Sequence, residues 1–170
     1  AELPLLMIAL NARLKATNKS AGRGITAKEF FAGMFTTALE PDEVWVEIEL
    51  PFDKARTGWS FMEVAPRSGD YAMMGVATSV TLDENGKCRS AKLVYLNAGD
   101  GPVDAVEAAQ SLMGESLNDT WNEAAALTAC DEEITPFGNL HASVEVQRRL
   151  AKTLTMKNLK IAVERATQEN

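Results

Sequence analysis

The sequence has 170 residues, of which 46% are hydrophobic and 24% are charged, so it can bury a core in one or two small domains. Its formal net charge is −7, with lysine and arginine scattered among acids, which argues against binding to nucleic acid or to an anionic membrane. The longest apolar runs are too short to span a bilayer. The first residues carry neither a basic secretory leader nor an initiator methionine, so we expect a cytoplasmic protein whose chain was processed or excised.

Cys88, Cys130 and His141 are the only thiols and imidazole in the sequence. The cysteines form no CxxC pattern, and nothing in the spacing brings a base to either thiol. We therefore expect no metal site held by this chain and no catalytic residue. Two buried thiols are the expected arrangement, with a disulfide as the alternative.

The first forty residues predict short, mixed elements. Residues 5–14 are apolar and fit either a short helix or a strand, and the polar residues 17–24 indicate a loop or a hairpin turn. Thr26 is placed to cap a short helix that begins at Ala27.

Residues 43–50 alternate between apolar and mostly acidic side chains, which predicts a half-buried strand ended by Pro51. Its buried face would carry Val44, Val46, Ile48 and Leu50. Periodicity is then lost over residues 52–60, which makes this stretch the predicted domain boundary.

A second β region follows that boundary. Phe61 to Val64 and Tyr71 to Leu82 are predicted strands, joined by a turn at residues 66–69. Asn85-Gly86 is a strong hairpin signal, because both residues tolerate the positive φ angles of a tight turn. The return strand is predicted over residues 88–96.

From Gly101 onward the apolar period lengthens from two residues to that of a helix. One helix is predicted from Val103 to Met113 after Pro102, a second opens at residues 116–119, and a third starts near Ser143 with an irregularity at residues 153–155. The residues from Ala166 onward should fray. The pattern predicts an α+β fold, with a small antiparallel sheet of about three strands packed against about three C-terminal helices.

Two stretches of the sequence resemble a known family. Residues 24–43, which contain Ala-Lys-Glu-Phe-Phe-Ala-Gly-Met-Phe-Thr-Thr-Ala-Leu, resemble the close of the FAD-binding domain in the medium subunits of molybdenum hydroxylases. That family includes xanthine dehydrogenase and carbon monoxide dehydrogenase. Residues 61–72, Phe-Met-Glu-Val-Ala-Pro-Arg-Ser-Gly-Asp-Tyr-Ala, resemble the opening of the family's C-terminal domain, and residues 141–143 and 148–151 are similar to its last helix region.

The resemblance implies a domain organisation. Residues 1–52 would be the C-terminal remnant of an α+β FAD-binding domain, residues 53–60 a linker, and residues 61–170 the C-terminal domain. Ala1-Glu2-Leu3-Pro4 resembles the segment that follows the family's second flavin-binding motif. The glycine loops that hold the FAD pyrophosphate would then lie upstream, and this chain alone would bind FAD weakly or not at all.

The resemblance also implies flavin contacts for four residues. Tyr71 would lie against one face of the isoalloxazine ring, although it could equally be an aromatic at the core edge. Asp70 would approach the flavin edge, although an aspartate after glycine is also an ordinary turn residue. Val46 matches a position on the strand that lines the flavin pocket, and its alternation favours plain core. Met62 falls where eukaryotic relatives carry a lysine near the flavin.

In the family, the complete enzyme is a complex of three subunits. A large subunit with the molybdenum cofactor oxidises the substrate, a small subunit with two [2Fe-2S] clusters relays electrons, and the FAD subunit passes them to an external acceptor. The resemblance implies the same partners here. Two alternatives stay open from the residues alone: a stand-alone interaction domain that binds no flavin, and a small-molecule-binding domain with its pocket between sheet and helices.

Overall fold

The computed structural model describes residues 2–168. These residues form two antiparallel sheets, a short hairpin and five α-helices. The first part of the chain contains α1 (Glu2–Ala9), β1 (Arg13–Thr17), β2 (Gly22–Thr26), α2 (Ala27–Phe30), β3 (Phe31–Gly33), β4 (Thr36–Thr37) and β5 (Val44–Glu49). The second part contains β6 (Thr57–Val64), β7 (Met74–Leu82), β8 (Cys88–Leu96), β9 (Val103–Asp104), α3 (Val106–Ser111), α4 (Asp119–Thr128), a π-helical turn (Ala129–Glu133) and α5 (Val144–Gln168). The predicted α+β class is confirmed.

The N-terminal sheet has the strand order β2-β1-β5. The apolar start of the chain, which fitted a helix or a strand, is a helix followed by a strand. Asn11 ends the helix with φ 52°, a conformation that asparagine tolerates better than most residues. Residues 18–21 form the predicted turn, and the Asn18 side chain accepts hydrogen bonds from the amides of Ser20 and Ala21, both at 2.9 Å.

The predicted cap at Thr26 is confirmed. Its hydroxyl accepts a hydrogen bond from the Glu29 amide at 3.3 Å, while the Glu29 carboxylate accepts from the Thr26 amide at 3.3 Å. This reciprocal capping box satisfies two amides that a helix start leaves without partners, so a helix as short as α2 can begin directly after a strand.

The predicted strand at residues 43–50 is present as β5, but the prediction that one face is buried was wrong. Every residue of β5 is exposed. The register shifts where Lys15 pairs with Glu47 and Ala16 pairs with Trp45, so Val46 is the extra residue of a bulge. The bulge breaks the alternation, and Trp45, not Val46, lies opposite the buried Ala16. Trp45 packs on Phe30 with ring centroids 5.5 Å apart.

The C-terminal sheet has the order β6-β7-β8-β9, four strands where about three were predicted. Its first strand begins at Thr57, not Phe61, inside the stretch that lacked periodicity. At Gly58 the strand passes close to α5. A side chain there would collide with the backbone of Ala162, so the strand can take this path only because residue 58 is a glycine. The next strand begins at Met74, so Tyr71 lies in the loop before it.

The predicted first helix begins three residues late. Val103 and Asp104 form β9, paired with Tyr95 and Val94 of β8, and α3 starts only at Val106. Pairing with an available sheet edge outweighs the helical spacing here. The predicted hairpin is confirmed, with Gly86 at φ 76°.

The strand β7 and the second half of β8, from Leu93 to Leu96, are buried on both faces of the C-terminal sheet. One face, which includes Val76 and Tyr95, packs against α3 and α5, and α4 packs on these two helices, so the C-terminal helices cover the sheet as the sequence predicted. On the other face the paired residues Ala77 and Val94 pack against α1. The two hydrophobic cores of the chain therefore meet across this one sheet.

The helix α5 runs for 25 residues. The irregularity predicted at residues 153–155 is absent, because Thr153 and Thr155 donate their hydroxyl protons to the carbonyls of Arg149 and Ala151, at 3.0 and 2.8 Å, without breaking the helix. Of the residues predicted to fray, 166–168 are helical and 169–170 lie outside the described residues.

Candidate ligand cleft

An open, largely apolar cleft of about 630 Å³ lies where the two parts of the chain meet. Its walls come from the β3–β4 hairpin, the loop before β7, the loop after β8 and the start of α1. This volume is in the range of clefts that hold cofactors or other small molecules. The first part of the chain thus contributes α1 and the β3–β4 hairpin to this site, and the second part contributes the two loops that flank β7 and β8.

Two aromatic side chains in the cleft are almost without protein contacts. Tyr71 is 89% exposed, and Phe35 at the tip of the β3–β4 hairpin is fully exposed. Phe35 has φ 53°, a backbone conformation that costs a bulky residue roughly 1–3 kcal/mol. Exposed aromatics and local strain are features of binding sites more than of a plain surface. The cleft therefore offers apolar ring faces to a ligand.

The turn that carries Tyr71 is tied by side chains on both sides. The Asp70 carboxylate accepts hydrogen bonds from the Tyr71 amide at 2.9 Å and from Arg67 Nε at 3.1 Å. After the turn, the Asn97 side chain donates to the carbonyls of Ala72 and Met73, at 3.1 and 3.2 Å. Asn97 itself lines the cleft with φ 58°.

The charged residues that line the cleft, among those the structure describes, are Glu2 and Asp100. Both are acidic, so this wall opposes phosphate and suits an uncharged planar group. Burial raises the pKa of Cys88 and of Cys130 to about 11, so both thiols stay protonated at neutral pH. Both are free and buried, and the prediction of two buried thiols is confirmed.

Of the four residues expected to contact a cofactor, the structure places only Tyr71 in the cleft lining. Asp70 is adjacent in the same turn. Met62 lies on β6 opposite Val76 and is half-buried against the C-terminal core. Val46 lies at the bulge of β5, 55% exposed. Neither Met62 nor Val46 lines the cleft.

Of the residues that line the cleft, the sequence singled out only Tyr71; Met34, Phe35 and Asn97 are among those that it did not indicate. A hairpin tip and a residue at a strand end belong to no apolar period, so periodicity could not find them. The signal that the sequence offered was Phe35 itself, an aromatic that stands between Gly33 and the polar pair Thr36 and Thr37.

Within residues 2–168, no three histidine, cysteine, aspartate or glutamate side chains lie together as metal ligands. In the same residues, no helix is both long enough and apolar enough to cross a bilayer.

Comparison with known families accounts for both parts of the chain. Residues 1–53 match the FAD binding domain in molybdopterin dehydrogenase, and residues 59–162 match the CO dehydrogenase flavoprotein C-terminal domain. Together these two matches define a class, the flavoprotein subunits of molybdenum hydroxylases. The structure brings the two matched parts together at the cleft.

Individual proteins of this class are similar to the chain over nearly its whole length. The chain is 33% identical to the alpha subunit of the 6-hydroxypseudooxynicotine dehydrogenase complex of Paenarthrobacter nicotinovorans, over 98% of this chain and 56% of that protein. It is 30% identical to the carbon monoxide dehydrogenase medium chain of Afipia carboxidovorans, over 97% of this chain and 55% of that one. The structure of quinoline 2-oxidoreductase from Pseudomonas putida 86 superposes with a TM-score of 0.89 and 29% identity, over 98% of this chain and 57% of that chain.

The chain belongs to the family of FAD-binding medium subunits of the xanthine oxidase and carbon monoxide dehydrogenase type. It spans a little over half the length of the curated relatives it matches.

Proposed function

We propose that this chain is part of the FAD-binding subunit of a molybdenum hydroxylase and that its cleft receives the isoalloxazine ring of FAD. The observation that carries the proposal is Tyr71, an aromatic side chain 89% exposed in an apolar cleft between the two matched family segments. An unpartnered ring at such a place is costly in water and favourable against another ring. The lining is largely apolar and its charged residues are acidic, which fits the uncharged ring and does not fit the pyrophosphate.

The residues of this chain would bind the isoalloxazine ring and shield it from water, and they would not transfer protons. Tyr71 would cover one face of the ring and exclude water, and Phe35 would add apolar surface from the hairpin. Asp70 would hold the turn beside the ring edge. Val46, Met62 and Asp70 do not line the cleft, so the proposal rests on Tyr71, with Asp70 acting through its hydrogen bond to the Tyr71 amide. When bound, FAD supplies the electron transfer.

The organisation of the whole enzyme is part of the same proposal. The two family matches, at residues 1–53 and 59–162, support a division into an FAD-binding remnant at residues 1–52, a linker at residues 53–60 and a C-terminal domain at residues 61–170. Electrons would come from a large subunit with the molybdenum cofactor, through [2Fe-2S] clusters in a small subunit, to the FAD and then to an external acceptor. We place this complex in the cytoplasm.

The alternatives are less well supported. A stand-alone interaction domain does not account for the match of residues 1–53 to an FAD-binding domain. A small-molecule pocket between sheet and helices does not agree with the packing, because that interface is filled by the C-terminal core.

The test uses the complete subunit that contains this chain. Tyr71→Ala should lower the FAD content of the purified subunit and change the visible absorption and circular dichroism of the flavin that stays bound. Phe52→Ala is the matched control, because Phe52 is also a fully exposed aromatic but does not line the cleft. The proposal fails if Tyr71→Ala and Phe52→Ala both leave flavin content and spectra unchanged.

A further inference from the structure

A buried amide on α5 reaches the loops that form the cleft. Gln147 is fully buried, and its side chain makes three hydrogen bonds. Its Oε1 accepts from the Gly138 amide at 2.8 Å, and its Nε2 donates to the carbonyls of Met73 and Asn97, at 3.1 and 3.4 Å. Most polar side-chain groups buried this completely are hydrogen-bonded, and both polar atoms of Gln147 follow that rule.

The two carbonyls that Gln147 holds belong to two different walls of the cleft. Met73 follows Tyr71 and Ala72 in the loop before β7, and Asn97 begins the loop after β8. Asn97 in turn donates to the carbonyls of Ala72 and Met73. Two side-chain amides therefore lock the two walls to each other and to the first turns of α5.

This lock matters because the Tyr71 ring has almost no packing of its own. The position of the ring is set by its backbone, which is held before the turn by Asp70 and after it by Asn97 and Gln147. A flat ligand binds well only if the side chain that contacts it is held in position, because small displacements of that side chain weaken binding strongly.

We propose that Gln147 is a positioning residue of the flavin site, which fixes the Tyr71 wall through the carbonyls of Met73 and Asn97. The inference rests on the proposed function of the cleft. Gln147 touches no part of the cofactor and acts through the loop.

The experiment replaces this amide in the complete subunit. Gln147→Met keeps a similar length and removes both the donor and the acceptor. We expect FAD binding about tenfold weaker, because two loop carbonyls lose a buried donor. We also expect altered visible circular dichroism of the bound flavin and a shifted flavin reduction potential, which a merely structural role would not produce.

Asn158→Leu is the matched control on the same helix. Asn158 is also a fully buried amide, and it bonds Ser60 Oγ at 2.5 Å and the Val76 carbonyl at 3.2 Å, away from the cleft. It should lower the stability of the subunit to a similar extent while leaving FAD affinity, spectrum and potential as in the wild type.

A second variant keeps the test decisive where Gln147→Met does not fold. Gln147→Glu keeps an oxygen that can accept from the Gly138 amide and loses the amide group that donates to the carbonyls of Met73 and Asn97, so it should shift the flavin signals in the same direction.

The outcomes separate the two proposals. If Tyr71→Ala changes the flavin and Gln147→Met does not, or if Gln147→Met and Asn158→Leu change it equally, the positioning role is overturned while the proposed function stands. If Tyr71→Ala itself leaves the flavin unchanged, both are overturned.

Discussion

The strands β5 and β7 each carry two valines an even number of residues apart, yet one strand is exposed in the fold and the other is buried. Every residue of β5 is exposed, whereas eight of the nine residues of β7 are buried and the ninth is half-buried. β5 is an edge strand of the N-terminal sheet, and β7 lies between two strands, with α5 on one face and α1 on the other. The comparison teaches that alternation identifies a strand, while its burial depends on the elements that pack against it.

The difference has an energetic consequence that can be measured. Burial stabilises by about 25 cal/mol per Å² of apolar surface, so the same side chain contributes much more in β7 than in β5. In the N-terminal sheet, polar contacts at the surface should account for a larger share of the stability. Three experiments test this contrast.

The largest effect is expected at Gly58 in the C-terminal sheet. In Gly58→Ala the new Cβ would collide with the carbonyl oxygen of Ala162 and the amide of Ala166, which are backbone atoms and cannot yield easily. We expect a loss of about 3 kcal/mol in the free energy of unfolding, measured by urea titration.

Gly22→Ala in the N-terminal sheet is the control for that substitution. A Cβ at Gly22 would find its nearest neighbour, the Ala16 carbonyl oxygen, at 3.5 Å, an ordinary contact. The change should stay below about 1 kcal/mol. Equal losses at the two glycines would contradict the contrast between the sheets.

An intermediate effect is expected from one pair of valines. Val76→Ala removes two methyl groups from a fully buried site in β7 and should cost about 2 kcal/mol. Val46→Ala, at the exposed bulge of β5, should cost less than about 0.5 kcal/mol. Thermal and urea unfolding of both variants give the comparison, and a large loss at Val46 would show that β5 is covered in solution.

The smallest effect concerns pH and the N-terminal sheet. Arg23 holds Glu43 through two hydrogen bonds, at 2.7 and 2.8 Å, and this contact lowers the pKa of Glu43 from its ordinary 4.5 to about 2. A lowered pKa in the folded state stabilises the protein above about pH 4.5 and loses that contribution as the pH falls toward about 2. Arg23→Met should therefore be less stable than the wild type at neutral pH. The difference should shrink toward pH 2, where only the hydrogen bond from Arg23 to the Ala38 carbonyl, at 2.7 Å, still separates the two proteins.

The control for this pH effect lies on the same sheet. Lys15 and Glu47 form a longer contact of 3.4 Å between half-exposed side chains, so Lys15→Met should change stability less than Arg23→Met at neutral pH. A difference between wild type and Arg23→Met that is the same at pH 2 and pH 7 would refute the linkage to Glu43.

Local rules predicted much of this fold. The capped helix after Thr26, the hairpin at Asn85-Gly86 and the start of α5 near Ser143 are all determined by residues within a few positions of each other. Tertiary packing determined what was missed. β6 begins four residues before Phe61, at a position where it packs closely on α5. Gly58 permits this contact, and α5 lies about a hundred residues later in the sequence, so no local pattern could indicate it.

The site was less accessible to sequence reasoning than the fold. Resemblance singled out Tyr71, which lies in the cleft, and also Val46 and Met62, which do not line it. Phe35 and Asn97 were missed because each owes its place to a positive φ angle at the end of a strand, a property that no hydrophobic pattern encodes. Their role depends on two segments far apart in sequence meeting at one cleft.

The sheet shared by the two cores bears on how the chain responds to proteases. The stretch from Leu50 to Ala55 is exposed and, from residue 50 to 54, has no regular secondary structure, so trypsin should cut after Lys54. The two products should nevertheless migrate together on a sizing column, because α1 of the first product packs on β7 and β8 of the second. A nicked molecule of this kind would behave as a single cooperative unit until the whole of it melts.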